Sequence, residues 1–157
     1  CRSCGRNDMI AVVQRVSAAA VRVEDPSDVA KIEHGLVVLI AIEHADDSTQ
    51  VEWMARKLAA LRIFEDEEGR MNKSVVEVAG SILLISQFTL AGNCLHGHRP
   101  SFTDAAKPEV AAPLISALAE RLCETGVPIQ TGVFGAQMSV SLTNEGPVTL
   151  ILRHPTP

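Results

Sequence analysis

Residues 36–42, LVVLIAI, form an unbroken apolar run, and no other stretch restricts the fold as much. The run has the length of a strand and falls far short of the ~20 residues that span a membrane. Successive side chains on a strand point to opposite faces, so a strand that is apolar throughout must be covered on both. The chain must therefore supply a layer on each side of it. With 157 residues, 46% of them hydrophobic, it is long enough for one domain with a real core and too apolar for disorder. Aromatics make up only 3% and tyrosine is absent, so Val, Leu, Ile and Ala must fill that core. The formal net charge of −5 argues against broad electrostatic wrapping of nucleic acid but leaves room for a local basic contact.

The remaining elements follow from periodicity and turn chemistry. Residues 9–23 read as one long strand or two short ones, with Val12, Val16, Val21 and Val23 as core candidates. EDPSD (24–28) is a turn, and VAKIE (29–33) returns as a hairpin partner. At 45–50 a helix begins, with Asp47 or Ser48 as cap and Gln50 three residues after Asp47; Val51, Met54, Ala55, Leu58 and Leu61 then recur at helical spacing. EDEEG (65–69) reads as a solvated turn and SILLISQFTL (81–90) as a strand. Residues 91–108 form a long loop with His96, His98 and Arg99; loops beyond about 12–15 residues are often functional. Pro108 and Pro113 bracket the start of a second helix, with Leu114, Ile115, Leu118 and Leu122 as its stripe and Gly126 just past its end. Residues 127–142 give two strands broken at Phe134-Gly135, with Ser139 and Ser141 on a wet face opposite Val140 and Leu142. NEGPVT (144–149) looks like a hairpin turn, and VTLILR (148–153) is the last strand. The expected fold is α+β: a curved, mostly antiparallel, hairpin-connected sheet or partial barrel of six to eight strands, with two main helices packed on one side.

Residues 1–8 are polar and have no apolar h-region, so they are expected to be a disordered upstream extension, with the domain running over 9–157 and Met9 as the natural start. Cys1, Cys4, Cys94 and Cys123 lack the spacing of a disulfide framework, which points to a reducing cytoplasm. Cys1 and Cys4 with Cys94, His96 and His98 could compose a zinc set. No second CxxC or HxxxH supports it, so the simpler reading is a polar terminus plus surface loop residues, with no metal.

The familiar catalytic templates are missing: no G-x-S-x-G, no phosphate-binding glycine loop, no H-E-x-x-H. All five histidines (His34, His44, His96, His98, His154) fall in expected loops or the tail, where solvated histidines are the rule. Ser86, Gln87 and Thr89 end an otherwise apolar strand, and polar groups there must be satisfied or used. On spacing alone, Ser86 and Thr89 bond nearby backbone and Gln87 meets solvent. Phe134 and Met138 alone would read as core, and Arg15 as an exposed charge or surface ion pair.

Taken together, VVQRV (12–16), SQFT (86–89), TGVFGAQM (131–138) and NEGPVT (144–149) resemble the D-aminoacyl-tRNA deacylase family, small editing enzymes that remove D-amino acids from tRNA. HRPSFTDAA (98–106) is similar as well, and the resemblance runs from Met9 to about Leu152. It implies a cytoplasmic homodimer that acts on the aminoacylated 3′ end of tRNA without a cofactor. Neither a membrane nor a DNA partner is expected. It further implies that Gly146-Pro147 is cis and reaches into the partner's pocket, braced by Arg15, as a chirality gauge. Only about 5–6% of X-Pro bonds in folded proteins are cis, so spacing alone would not have given that isomer. An L side chain would be driven into this backbone, while a D side chain or the hydrogen of glycine would clear it. By the same resemblance Ser86, Gln87, Phe88 and Thr89 form the catalytic segment, with Gln87 and Phe88 on the adenosine. Phe134, Gly135, Ala136 and Met138 wall the adenine, and Asn144 and Thr149 join the substrate site. Thr89 is the nucleophile candidate of its segment and has no base nearby in sequence, so water attack helped by the substrate's 2′-hydroxyl is the expected chemistry. Two other classes remain open: a tRNA or nucleic-acid binding module without turnover, and a Thr89-nucleophile hydrolase of another ester.

Overall fold

The computed structural model describes residues 8–24 and 28–154. The expected extension lies outside the described residues except for Asp8, which is buried, its N–H donating to Glu43 Oε2 at 3.0 Å. The turn expected at 24–28 also lies largely outside them.

Strand β1 (Ile10–Arg22) pairs antiparallel with β2 (Asp28–Ile32), β3 (Gly35–Ala41) and the long β8 (Ser139–Arg153). From β3 the chain passes through α1 (Ser48–Ala60) and the small hairpin β4 (Phe64–Glu65) and β5 (Met71–Lys73). It returns as β6 (Ser81–Ser86), parallel to β3. After a 3₁₀ turn (Phe88–Ala91) and the long loop, α2 (Pro108–Glu124) leads into β7 (Ile129–Thr131), parallel to β6. The sheet is thus mixed and less hairpin-connected than expected, because each main helix supplies the crossover that a parallel pair requires. No helix among the described residues is long and apolar enough to cross a membrane.

The expectation that β3 is covered on both faces holds. Leu36, Val38 and Ile40 join the core beneath both helices, while Val37 joins a second core on the opposite face. The register Leu36↔Ile82 and Val37↔Leu83 carries that division into β6. There Ile82 and Leu84 face the helices, and Leu83 and Ile85 face the second core with Val16, Val21 and Ile32. The sheet curls around this second core into a nearly closed barrel.

Three local expectations are corrected. Of the four core candidates at 9–23 only Val16 and Val21 hold: Met9, Ala11 and Val13 belong to the helix-side core and Val16, Ala19 and Val21 to the other. The ladder with β8 is irregular on either side of Val16, and this changes the phase near Arg15. Val12 and Val23 are only half-buried. Pro113 lies inside α2 and not in its first turn. Both Pro113 and Glu109 are exposed, so the carbonyl four residues back can turn to water. Finally, residues 144–149 are not a hairpin turn. β8 runs through them, with Asn144 opposite Val16 and Thr149 opposite Gln14, so Glu145–Val148 bulge out opposite Arg15. A proline is tolerated there because a bulge needs no ladder N–H.

The cap of α1 and the glycine after α2 read correctly. Asp47 caps α1, accepting from the Thr49 N–H at 2.7 Å, and Gln50 Oε1 accepts the Asp47 N–H at 2.8 Å, a complete capping box. Gly126 follows α2 with φ +89°.

Candidate active site

The parallel strands β3 and β6 end side by side, the usual location of ligand clefts in such sheets. β6 stops at Ser86, not at Leu90 as expected, because β3 ends at Ala41 and offers no further rungs. The last rung is the Gln87 N–H to Ile40 O, at 2.8 Å. The chain then winds into the 3₁₀ turn, with Leu90 N–H donating to Gln87 O at 3.1 Å and Gly92 N–H to Thr89 O at 3.0 Å.

Beside this turn lies a cleft of about 450 Å³. Ile40, Ile42, Ile85, Ser86, Gln87 and Phe88 line it from the strand ends, and Phe134, Gly135, Ala136 and Met138 form a second wall. Ala106 with Pro108, Ala111 and Ile115 of α2 forms a third. None of its lining residues is ionisable; Ser86 and Gln87 supply its polar side chains. The second wall is held locally. The Ala136 N–H donates to Val133 O at 3.2 Å around Gly135, whose φ of +75° suits glycine. Met138 rests on Gly132, where a Cβ would stand 2.7 Å from the sulfur.

Thr89 is exposed just beyond the lining, and its hydroxyl accepts a hydrogen bond from Gln87 Nε2. An amide N–H donates and cannot take up the hydroxyl proton. No histidine or carboxylate lines the cleft to do so.

The other residues singled out from the sequence stand apart. Arg15 is only 5% exposed, not a surface charge. Its Nε donates to Glu145 O at 3.0 Å and its Nη1 to Ile63 O at 2.8 Å, which fixes the bulge to the loop after α1. Gly146-Pro147 is cis, and Gly146 has φ +135°. Asn144 Oδ1 accepts the Val148 N–H at 2.8 Å, and its Nδ2 donates to Thr149 Oγ1 at 2.9 Å. Gln14 also reaches that hydroxyl, at 3.3 Å. Asn144 and Thr149 therefore shape the bulge from beneath. One chain brings Ser86, Gln87 and Phe88 together with Phe134, Gly135, Ala136 and Met138, but Arg15, Asn144, Gly146, Pro147 and Thr149 do not line that cleft.

Sequence reasoning missed the α2 wall. Positions 108, 111 and 115 share one helical face, and small or apolar residues at that spacing were the available signal. It also missed Glu43 and Asp46, both buried. Asp46 Oδ2 accepts the Glu43 N–H at 2.7 Å and Oδ1 the Met9 N–H at 2.9 Å. Burial pushes the Glu43 carboxyl up to about 7 and raises Asp46 as well. Cys1 and Cys4 of the weighed zinc set lie outside the described residues. Among the described residues no three His, Cys, Asp or Glu side chains are grouped to hold a metal ion.

Comparison with known proteins bears on this geometry. A family model described as D-Tyr-tRNA(Tyr) deacylase matches residues 12–153. A D-aminoacyl-tRNA deacylase of Opitutus terrae is 54% identical over 145 residues, covering 92% of this chain and 96% of its own. One from Thermus aquaticus is 51% identical over 144 residues, covering 92% and 94%. A solved structure of a c-Myc DNA unwinding element binding protein has a TM-score of 0.88 at 41% identity, over 94% of this chain and 99% of that one. Another, of a probable eukaryotic D-amino acid tRNA deacylase, has a TM-score of 0.80 over 94% and 100%; at 18% identity it shows the fold alone. Matched along nearly its whole length by family model and relatives alike, the chain belongs to the D-Tyr-tRNA(Tyr) deacylase family and is an aminoacyl-tRNA ester hydrolase.

Proposed function

We propose that the cleft between Phe88 and Phe134 holds the 3′-terminal aminoacyl-adenosine of tRNA, and that the chain releases D-amino acids from it while sparing L-esters. The observation carrying this reading is the meeting of the Ser86–Phe88 segment and the Phe134–Met138 wall in one uncharged cleft. An aminoacyl ester is already activated, so holding it beside a water supplies much of what hydrolysis needs. With no base in the lining, water attacks with help from the substrate's 2′-hydroxyl, and Thr89 positions. The N–H groups of Phe88 and Thr89 open the 3₁₀ turn, where the first donors have no partner within the turn, and they serve as oxyanion donors.

Stereochemical rejection falls to Gly146-Pro147 of a second copy. The segment is exposed and lies outside its own chain's cleft, as a device donated across a dimer axis would. An L side chain meets this backbone; D side chains and achiral glycine pass. The setting is the cytoplasm, where charged tRNA is used.

The test is purified protein with D-Tyr-tRNA and L-Tyr-tRNA. Release of D-tyrosine with the L-ester persisting is expected; equal loss of both, or of neither, overturns the reading. Thr89→Ala should lower kcat by no more than about 10²-fold, a positioning effect. A loss near ~10⁶-fold, with an acyl adduct trapped on Thr89 in the unsubstituted protein, would mark a nucleophile instead.

A second reading rests on the 41% identical relative named for binding a DNA unwinding element. In it the cleft also grips a single-stranded end that carries no ester. Tight binding of single-stranded DNA, beside ester cleavage of charged tRNA, would favour it.

A further inference from the structure

We propose that Phe102 is a stacking surface for the nucleotide that precedes the terminal adenosine, so that the enzyme grips two residues of its substrate's single-stranded end. The proposal rests on the reading of the cleft given above and adds a second subsite to it.

The chain has only four phenylalanines, one tryptophan and no tyrosine. Folding normally buries such scarce large apolar side chains. Phe64 is buried, yet Phe88, Phe134 and Phe102 are 58%, 40% and 38% exposed. Phe88 and Phe134 line the cleft. Phe102 comes from the long loop and meets Phe88 edge to face, with ring centroids 5.3 Å apart and planes at 70°. Despite that contact both residues keep more than a third of their surface open to solvent.

Phe102 is also held in place, although it belongs to a surface loop. Its ring rests on Gly92, where a Cβ would stand 2.9 Å from Cε1. The loop's neck closes just before it, through Asn93 N–H to Ser101 O at 2.7 Å and Ser101 N–H to Asn93 O at 2.9 Å. Just after it, the Ala105 N–H donates to Phe102 O at 3.2 Å. An aromatic ring fixed before binding loses little freedom when a ligand lands on it.

The occupant follows from continuity with the cleft. About 450 Å³ is the scale of one drug-sized ligand, so a polynucleotide entering it leaves its next residue at the mouth, beside the Phe88–Phe102 pair. Aromatic faces bind unpaired bases by stacking, whatever the base.

The experiment compares D-tyrosyl esters of adenosine and of the dinucleotide cytidylyl-adenosine. The unsubstituted enzyme should turn over the dinucleotide ester with kcat/KM about 10-fold higher, the gain lying in KM. Phe102→Leu keeps an apolar contact for Phe88 but removes the ring, and the ratio should fall to about one. An unsubstituted ratio of one overturns the subsite. So does a Phe102→Leu enzyme that slows on both esters with the ratio kept, since Phe102 then only supports Phe88. Hydrolysis of neither ester overturns the cleft reading itself, and the subsite with it.

Discussion

Glu43 lies buried beside Asp46, and burial is the first cause that lifts its carboxyl from 4.5 to about 7. The folded chain therefore keeps a proton there that the unfolded chain gives up. This contribution to stability is complete below about pH 4.5 and is lost as the pH rises toward 7. Glu43→Gln keeps an acceptor for the Asp8 N–H and removes the titration. Its Tm relative to the unsubstituted chain should climb between pH 5 and pH 8 by a few °C. Calorimetric Tm–pH curves that stay parallel would contradict this. Arg15 poses the opposite problem, a buried charge that satisfies two carbonyls. Arg15→Leu leaves the buried Ile63 carbonyl unpaired and should cost about 1–3 kcal/mol, read as a lower denaturant midpoint at constant slope. Glu43 showed no such role in the sequence, and the bracing role of Arg15 came only through the family resemblance. Glu43 follows an apolar run as loop residues do, and the carbonyls that hold Arg15 come from residues 48 and 130 positions away.

At the scale of elements, what could be read was what is encoded locally. The capping box at Asp47 and Gln50 needs only residues three apart. The double-sided burial of β3 needs only its own composition. Asp47→Ala should therefore destabilise by about 1 kcal/mol, seen in thermal melts as a Tm drop of about 2–4 °C. What could not be read depends on neighbours. β6 stops where β3 stops, and β8 continues past Gly146-Pro147 because β1 pairs with it on both sides of the bulge. Two apolar runs flanking Asn-Glu-Gly-Pro look alike whether they fold back on each other or both lie along a third strand. The phase change in β1 is hidden in the same way, since alternation restarts at a point set by the partner's extra residues.

For the whole molecule, the cleft is assembled from β3, the end of β6, the 132–140 segment and α2, four pieces far apart in sequence. Two were legible through their resemblance to a family pattern. The others contribute ordinary aliphatic side chains that no motif marks. β8 leaves most of its fifteen residues exposed or half-buried, including Ile151, as a strand awaiting a partner would. Sedimentation should accordingly give a dimer, and a monomer that still discriminates D from L would contradict the cross-subunit arrangement. The uncharged cleft has one more consequence. A catalyst whose walls bind no protons has no titration curve of its own to impose, so its pH–rate profile should lack the two limbs of an acid–base pair. The single inflection that remains belongs to the substrate's ammonium group, and it should move along the pH axis when the amino acid on the ester is changed.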